Sequence, residues 1–285
     1  MLYAFEENEF GRAWESLLHS LVTHGMKVNP RGNATLELRN VLLRVNNGRS
    51  TILLNEARRL NYRFMVAEWL WIWFGRDDVA TIKKYNKVIV QFSDDGISFN
   101  GAYGKAIMPS WPYAMSALQH DENTRQSVIQ IYRQPTRKTK DVACTLSYQF
   151  LLREGKLHLT VTMRSSDIWL GLPYDMFNAS MLLNIAAGQL NVDIGSVTFS
   201  LASSHLYMNN YDKAIEALSQ ETRTIHSHKL PGAPPSALET ALVEAPLSRP
   251  HAAELSLESP WDCYELVLSE TDHPFECHPL LGHKI

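Results

Sequence analysis

The chain has 285 residues, 45% of them hydrophobic, and a formal net charge of -3, enough apolar material for a substantial core and no basic footprint of the kind that neutralises nucleic-acid phosphates. No stretch approaches the roughly 20 apolar residues of a membrane span, and the acidic start MLYAFEENEF lacks the basic, then apolar, pattern of a signal peptide, so a cytoplasmic protein is expected. Three cysteines, Cys144, Cys263 and Cys277, make an odd number without framework spacing, which suits free thiols in a reducing compartment.

Along the chain, Phe5 to Val28 has apolar residues at helical spacing and ends near Asn29-Pro30, predicting a helix. Residues 34–54 alternate around Asn46-Asn47-Gly48 and predict two strands. NEARRLNYRFMVAEWLWIWFG predicts a buried aromatic helix that stops at Gly75, and a further helix is expected from Trp111 to Gln119. SVIQIYR, VACTLSYQFLLREG and KLHLTVTMRSS read as strands of one sheet, with Glu154-Gly155 as a hairpin turn. Then come a helix at Met176 to Gln189, a strand at Ser196 to Ala202 and a helix at Asn210 to Ser219. Residues 230–285 read as a loop-rich return and tail that holds one last strand, WDCYELVL. The whole is expected to be a single α+β domain, residues 1–285.

The stretch DVACTLSYQFLLREGKLHLTVTMRSSDIWLGLPYDMFN, residues 141–178, resembles the most characteristic part of the thymidylate synthase family. A cysteine opens a strand, and Arg-Ser-Ser-Asp and Leu-Gly-Leu-Pro follow about twenty residues later. Glu68 in AEWLW, Tyr103 in GAYGK, Arg125 in NTRQS and His205 in SSHLYMNN match further family signatures in the right order. The resemblance implies a mixed β-sheet with flanking helices, one sheet face forming a homodimer interface, and 5,10-methylenetetrahydrofolate as one-carbon donor.

A pyrimidine has no nucleophilic C5 until a group adds at C6, and a thiolate is the side chain best able to add and later leave. The resemblance gives that role to Cys144. Glu68, on an apolar helix, is a carboxyl whose pKa burial raises, suited to moving protons near the ring, and Tyr103 is a second hydroxyl there. By the same resemblance Arg31, Arg164, Ser165 and Arg125 hold phosphate, Arg125 reaching across from the partner subunit, while Gln126 stands where a second such arginine is usual. His205 and Tyr207 match sugar-binding positions. Asp167, Gly171 and Tyr174 match folate contacts, and Arg58 and Arg59 are candidates for the folate tail.

Asp175 departs from the family pattern, which has asparagine there to read uracil. A carboxyl accepts from the cytosine amine and, when protonated, donates to N3. Members with aspartate at this place resemble deoxycytidylate hydroxymethylases, so dCMP is the expected substrate. The segment NKVIVQFSDDGISF lacks the family's tryptophans, which favours water capture and a hydroxymethyl product over a methyl one. A Ser165 lying beneath the sugar and phosphate would leave less room for a 2'-hydroxyl than alanine does, which leans slightly to deoxyribose. The alternatives are CMP hydroxymethylation, dCMP methylation, dUMP as substrate, a catalytically silent nucleotide binder, or a regulatory RNA-binding homologue. The terminal His273, Cys277, His278 and His283 lack paired-ligand spacing, and no metal is expected.

Overall fold

The computed structural model describes residues 2–135 and 138–244, together with Trp261, Tyr264, Val267 and Leu268. Its strands are β1 (Tyr3–Glu7), β2 (Met26–Val28), β3 (Thr35–Val45), β4 (Ser50–Leu54), β5 (Val128–Gln130), β6 (Thr145–Arg153), β7 (Lys156–Met163), β8 (Ser166–Asp167), β9 (Asp193–Tyr207) and β10 (Arg223–His226). The helices are α1 (Phe10–His24), α2 (Tyr62–Trp73), α3 (Val79–Ile82), α4 (Gly104–His120), α5 (Leu172–Leu190), α6 (Tyr211–Leu218) and α7 (Ala237–Glu244). A mixed sheet runs in the order β1-β3-β9-β7-β6-β5, with β2 on β3 and β8 on β9, and β10 pairs with β4 in a separate two-stranded ribbon. This is the expected α+β architecture, with helices packed over the sheet.

Several boundaries differ from the sequence reading for tertiary reasons. The helix expected from Phe5 to Val28 is flanked by strands, because YAFEE gains a parallel ladder on β3 and Met26–Val28 an antiparallel one. β3 and β4 form as expected but do not pair with each other, since β4 turns away to β10. The aromatic helix starts at Tyr62, where the Asn61 side chain caps the Phe64 N–H, and its end is followed by Gly75 at φ 67. Glu154 and Gly155 both have positive φ, 54 and 72, the geometry of a tight turn joining β6 and β7. Within the region expected to be loop, Ala237–Glu244 is helical. The four described residues of WDCYELVL are helical too, not strand, and their spacing places Trp261, Tyr264, Val267 and Leu268 on one face. Trp69 of α2 meets two of them, with Trp261 stacked on it at 6.3 Å and Tyr264 tilted at 4.9 Å.

The core lies between α1, α2 and α5 and one face of the sheet, and contains Trp14, Leu17, Leu21, Trp69, Phe177, Phe199 and Leu43. Strand alternation puts Leu43, Val45, Val197, Phe199 and Leu201 on the helix side. In both β3 and β9 that alternation slips by one residue at the same level. Leu38 and Val41 are both buried, as are Leu201 and Ser204, around an Asn40 held at φ 56 between the Arg39–Ser203 and Val41–Leu201 pairs. Asparagine tolerates this left-handed backbone better than a branched residue does. Beyond the slip, Ser203, His205 and Tyr207 leave the core side of the sheet and line a cleft.

The opposite sheet face carries Leu42, Thr160, Thr162, Ser200 and Ala202, all half-buried or exposed. Gly104, at the start of α4, sits against α2 so closely that a Cβ there would collide with the Ile72 carbonyl. Among the described residues no helix is long and apolar enough to cross a membrane.

Candidate active site

A cleft of about 460 Å³ opens at one end of the sheet, where β3, β9 and the chain after β7 converge with the approach to β6. Its walls include Arg31, Glu37, Lys140, Arg164, Ser165, Ser203, His205 and Tyr207. Arg31 is exposed in a short turn at φ 55, and Ser165 Oγ lies 3.5 Å from His205 Nδ1. The ring of Tyr207 meets that of His205 edge-on at 5.1 Å, as i and i+2 residues on one strand face do.

Arg164 is the hinge of the site. Its Nε donates to the Ala143 carbonyl at 2.9 Å and its Nη2 to Val142 at 2.7 Å, while its backbone N–H donates to Cys144 O at 2.9 Å. These bonds lock the β6 approach and bring Nη2 to 3.6 Å from Cys144 Sγ. Cys144 is half-buried immediately before β6. Burial pushes its thiol pKa up, and the Arg164 guanidinium is the main influence opposing this. A fixed cation beside a thiol favours thiolate as solvent is displaced.

Behind the cysteine lies a cluster of acids and hydroxyls. Asp175, in the first turn of α5, has its carboxyl pKa pushed up to about 8 by burial, then by Glu68 and Asp167. Burial likewise pushes Glu68 on α2 up to about 7, against a hydrogen bond of 2.9 Å that Asn178 Nδ2 donates to Glu68 Oε2. Tyr103 accepts from the Thr145 N–H at 3.3 Å, and burial followed by Asp175 and Cys144 holds its hydroxyl pKa well above the usual value. Tyr148 on β6 is shifted the same way by burial, then by Asp175.

Asp167 ends β8, where its register partner is His205. Its Oδ1 accepts from the Trp169 and Leu170 N–H groups at 2.8 and 2.9 Å. Burial raises the Asp167 carboxyl pKa and lowers that of the His205 imidazole. Gly171 precedes α5, and a Cβ there would come within 3.4 Å of Asp175 Oδ2. Tyr174 accepts from the Asn61 N–H at 3.1 Å.

The two arginines assigned to the folate tail behave differently. Arg58 is buried, donates from Nε to the Trp169 carbonyl at 2.7 Å, and stacks over Trp169 and Tyr174. Arg59 is exposed. Arg125 is exposed, is not among the residues lining the cleft of its own chain, and its carbonyl accepts from Gln149 at 3.1 Å.

Sequence reading missed Tyr148, Asn178, Glu37 and Lys140. The register of β6 could have brought in Tyr148, four residues after Cys144. Asn178 lies i+3 from Asp175 and so on its helix face.

The sequence pattern of the thymidylate synthase family matches residues 12–241, and the chain belongs to that family. It is similar to the deoxyuridylate hydroxymethyltransferase of Bacillus phage SP01, with 32% identity over 236 residues, which cover 75% of this chain and 61% of the relative. The chain thus spans about three fifths of the length of that relative.

Proposed function

We propose that this protein hydroxymethylates C5 of dCMP, with 5,10-methylenetetrahydrofolate as one-carbon donor. The observation that carries this reading is the Asp175 carboxyl, whose pKa of about 8 keeps it protonated at neutral pH. A neutral acid presents one donor and one acceptor side by side, the complement of cytosine N3 and its 4-amino group. An asparagine amide presents the complement of uracil instead.

In this reading Arg31, Arg164 and Ser165 receive the phosphate, with His205 and Tyr207 against the sugar. The Cys144 thiolate forms a bond to C6, which makes C5 nucleophilic. The folate supplies an electrophilic methylene, so a C5–CH2 bond forms and tetrahydrofolate leaves. Glu68, poised near neutrality, moves protons at the ring's 4-position and promotes loss of the C5 proton. Water then adds to the exocyclic methylene as the C6–S bond breaks. The net change is dCMP, donor and water to 5-hydroxymethyl-dCMP and tetrahydrofolate.

The residues assigned to the folate suit such a group. Asp167 uses Oδ1 for two backbone N–H groups, and its second oxygen has no hydrogen bond among the described residues, an acceptor fit for a heterocycle rich in N–H donors. Gly171 and Tyr174 flank it, and Arg59 offers the exposed cation for an anionic tail. Arg58 supports the Trp169–Tyr174 wall. The exposed Arg125 off its own cleft suits delivery to a partner's phosphate site, with the sheet face around Leu42, Ser200 and Ala202 as the homodimer interface.

The name of the phage relative favours a second reading, hydroxymethylation of dUMP. Incubation with the donor and equal dCMP, CMP and dUMP, read by mass, separates the two. Gain of CH2O on dCMP supports the first, reaction with dUMP alone overturns it in favour of the second, and gain of CH2 overturns the hydroxymethyl product.

A further inference from the structure

Asn178 has no role in the reading above, yet its side chain is tied directly to the acid cluster. It is 97% buried, being 3% exposed, and its amide nitrogen donates to Glu68 Oε2 at 2.9 Å. Its Oδ1 is also enclosed and has no hydrogen-bond partner among the described residues. An orphaned buried carbonyl costs about 1–3 kcal/mol, so the amide is not placed here by its own satisfaction. What fixes its orientation is the carboxylate, since only the nitrogen end can donate.

Asn178 and Asp175 stand three residues apart on α5, so one helix turn presents a carboxyl and an amide to the same space, with Glu68 facing them from α2. Tyr103 before α4, Tyr148 on β6, Asp167 on β8 and Cys144 before β6 are the other titratable groups facing this space. Two carboxyls so enclosed do not both ionise readily, and the pair must settle which one keeps the proton.

We propose that Asn178 is a positioning residue that fixes the proton order of the carboxyl pair: its N–H holds Glu68 as the ionised partner and thereby leaves the proton on Asp175. This rests on the reading of the cleft as a cytosine site, because it is the protonated Asp175 that cytosine N3 requires. The influences on the two groups agree with it. The hydrogen bond from Asn178 lowers Glu68, whereas burial, Glu68 and Asp167 all raise Asp175. A donor removed from Glu68 lets the proton move onto that residue, and Asp175 then becomes an acceptor-only carboxylate.

The test compares Asn178→Ala with the isosteric Asn178→Asp. Carboxyl carbons of 13C-labelled Glu and Asp are followed by NMR from pH 4 to 9 in the free protein, with Glu68→Gln and Asp175→Asn as assignment controls. In wild type the Glu68 midpoint should lie below that of Asp175, and in Asn178→Ala the order should invert. With dCMP, kcat/KM at pH 7 should fall about tenfold in Asn178→Ala, mostly through kcat, with the acid limb of its pH profile displaced upward. Asn178→Asp should be worse than Asn178→Ala, because it replaces the donor by a third carboxyl, whereas a residue that only filled space would show the reverse ranking. That reverse ranking, or unchanged midpoints in Asn178→Ala, overturns the proposal. A wild type that turns over no pyrimidine nucleotide sinks the functional reading alone, since the carboxyl order is still measured in the free protein.

Discussion

On the proposed reading the site has a phosphate end, the open cleft, and a ring end, the enclosed acid cluster behind Cys144, and the two work by different physics. At the phosphate end, Arg31 and Lys140 are exposed, and the cavity opens to water that screens every charge. At the ring end, Glu68, Asp175, Tyr103 and Tyr148 share a space so poorly solvated that every one of their pKa values rises. An anion at the first end would feel an additive, salt-sensitive attraction, while at the second a single proton changes which hydrogen bonds the carboxyls can make. The proposed reading thus gathers affinity where the dielectric is high and sets selectivity where it is low.

Removing the group at which the two ends meet should have the largest effect. Cys144→Ala should abolish release of tritium from [5-3H]dCMP, a loss on the order of 10⁴-fold or more, with nucleotide binding by calorimetry largely retained. Retained release would break the assignment of the nucleophile.

Asp175→Asn should then invert base preference at the ring end. The ratio of kcat/KM for dCMP over dUMP should fall by about 10²–10⁴, because the wrong base leaves buried polar groups unpaired. The phosphate end predicts little change in shared affinity, so an equal loss on both nucleotides would mean that the residue serves catalysis and not selection.

Arg164→Lys tests the hinge between the ends. An ammonium cannot reproduce the paired bonds to Ala143 and Val142, so nucleotide affinity should drop about 10- to 100-fold. The Cys144 thiol, read by its rate of alkylation against pH, should titrate higher.

The smallest effect sharpens the contrast through stability. Asp175 and Glu68 titrate higher folded than unfolded, from 3.8 to about 8 and from 4.5 to about 7. Their stabilising contribution is therefore complete below pH 4 and is lost as pH rises through about 7 to 8. Asp175→Asn should raise Tm by a few degrees at pH 8 relative to wild type and much less at pH 5, in differential scanning calorimetry. Exposed Lys140→Ala should show no such pH-dependent gain.

Much of the phosphate end was legible in the sequence because arginine, serine and histidine keep their order in Arg164-Ser165 and His205-Leu206-Tyr207. The ring end was legible only in part. Glu68, Tyr103 and Asp175 stood out by motif, whereas Tyr148 and Asn178 sit within a strand and a helix whose periodicities already explain them as core. Arg58 illustrates the converse, since a charged residue in a polar stretch reads as exposed until Trp169 and Tyr174 are seen to cover it. A strand formed around Phe5 where a helix was expected, and Tyr264 is helical where a strand was expected, for the same reason, that partners far along the chain decided between ladder and helix.

The slip in strand parity at Asn40 bears on how likeness between proteins is scored. With unbroken alternation, His205 and Tyr207 would fall on the same side as Phe199 and Leu201 and be sealed under the helices. A relative that carried the same histidine and tyrosine on a straight strand would align perfectly and present neither side chain to the cleft. Identity at positions 205 and 207 therefore counts as a shared cleft wall only together with the backbone at 40 and 202.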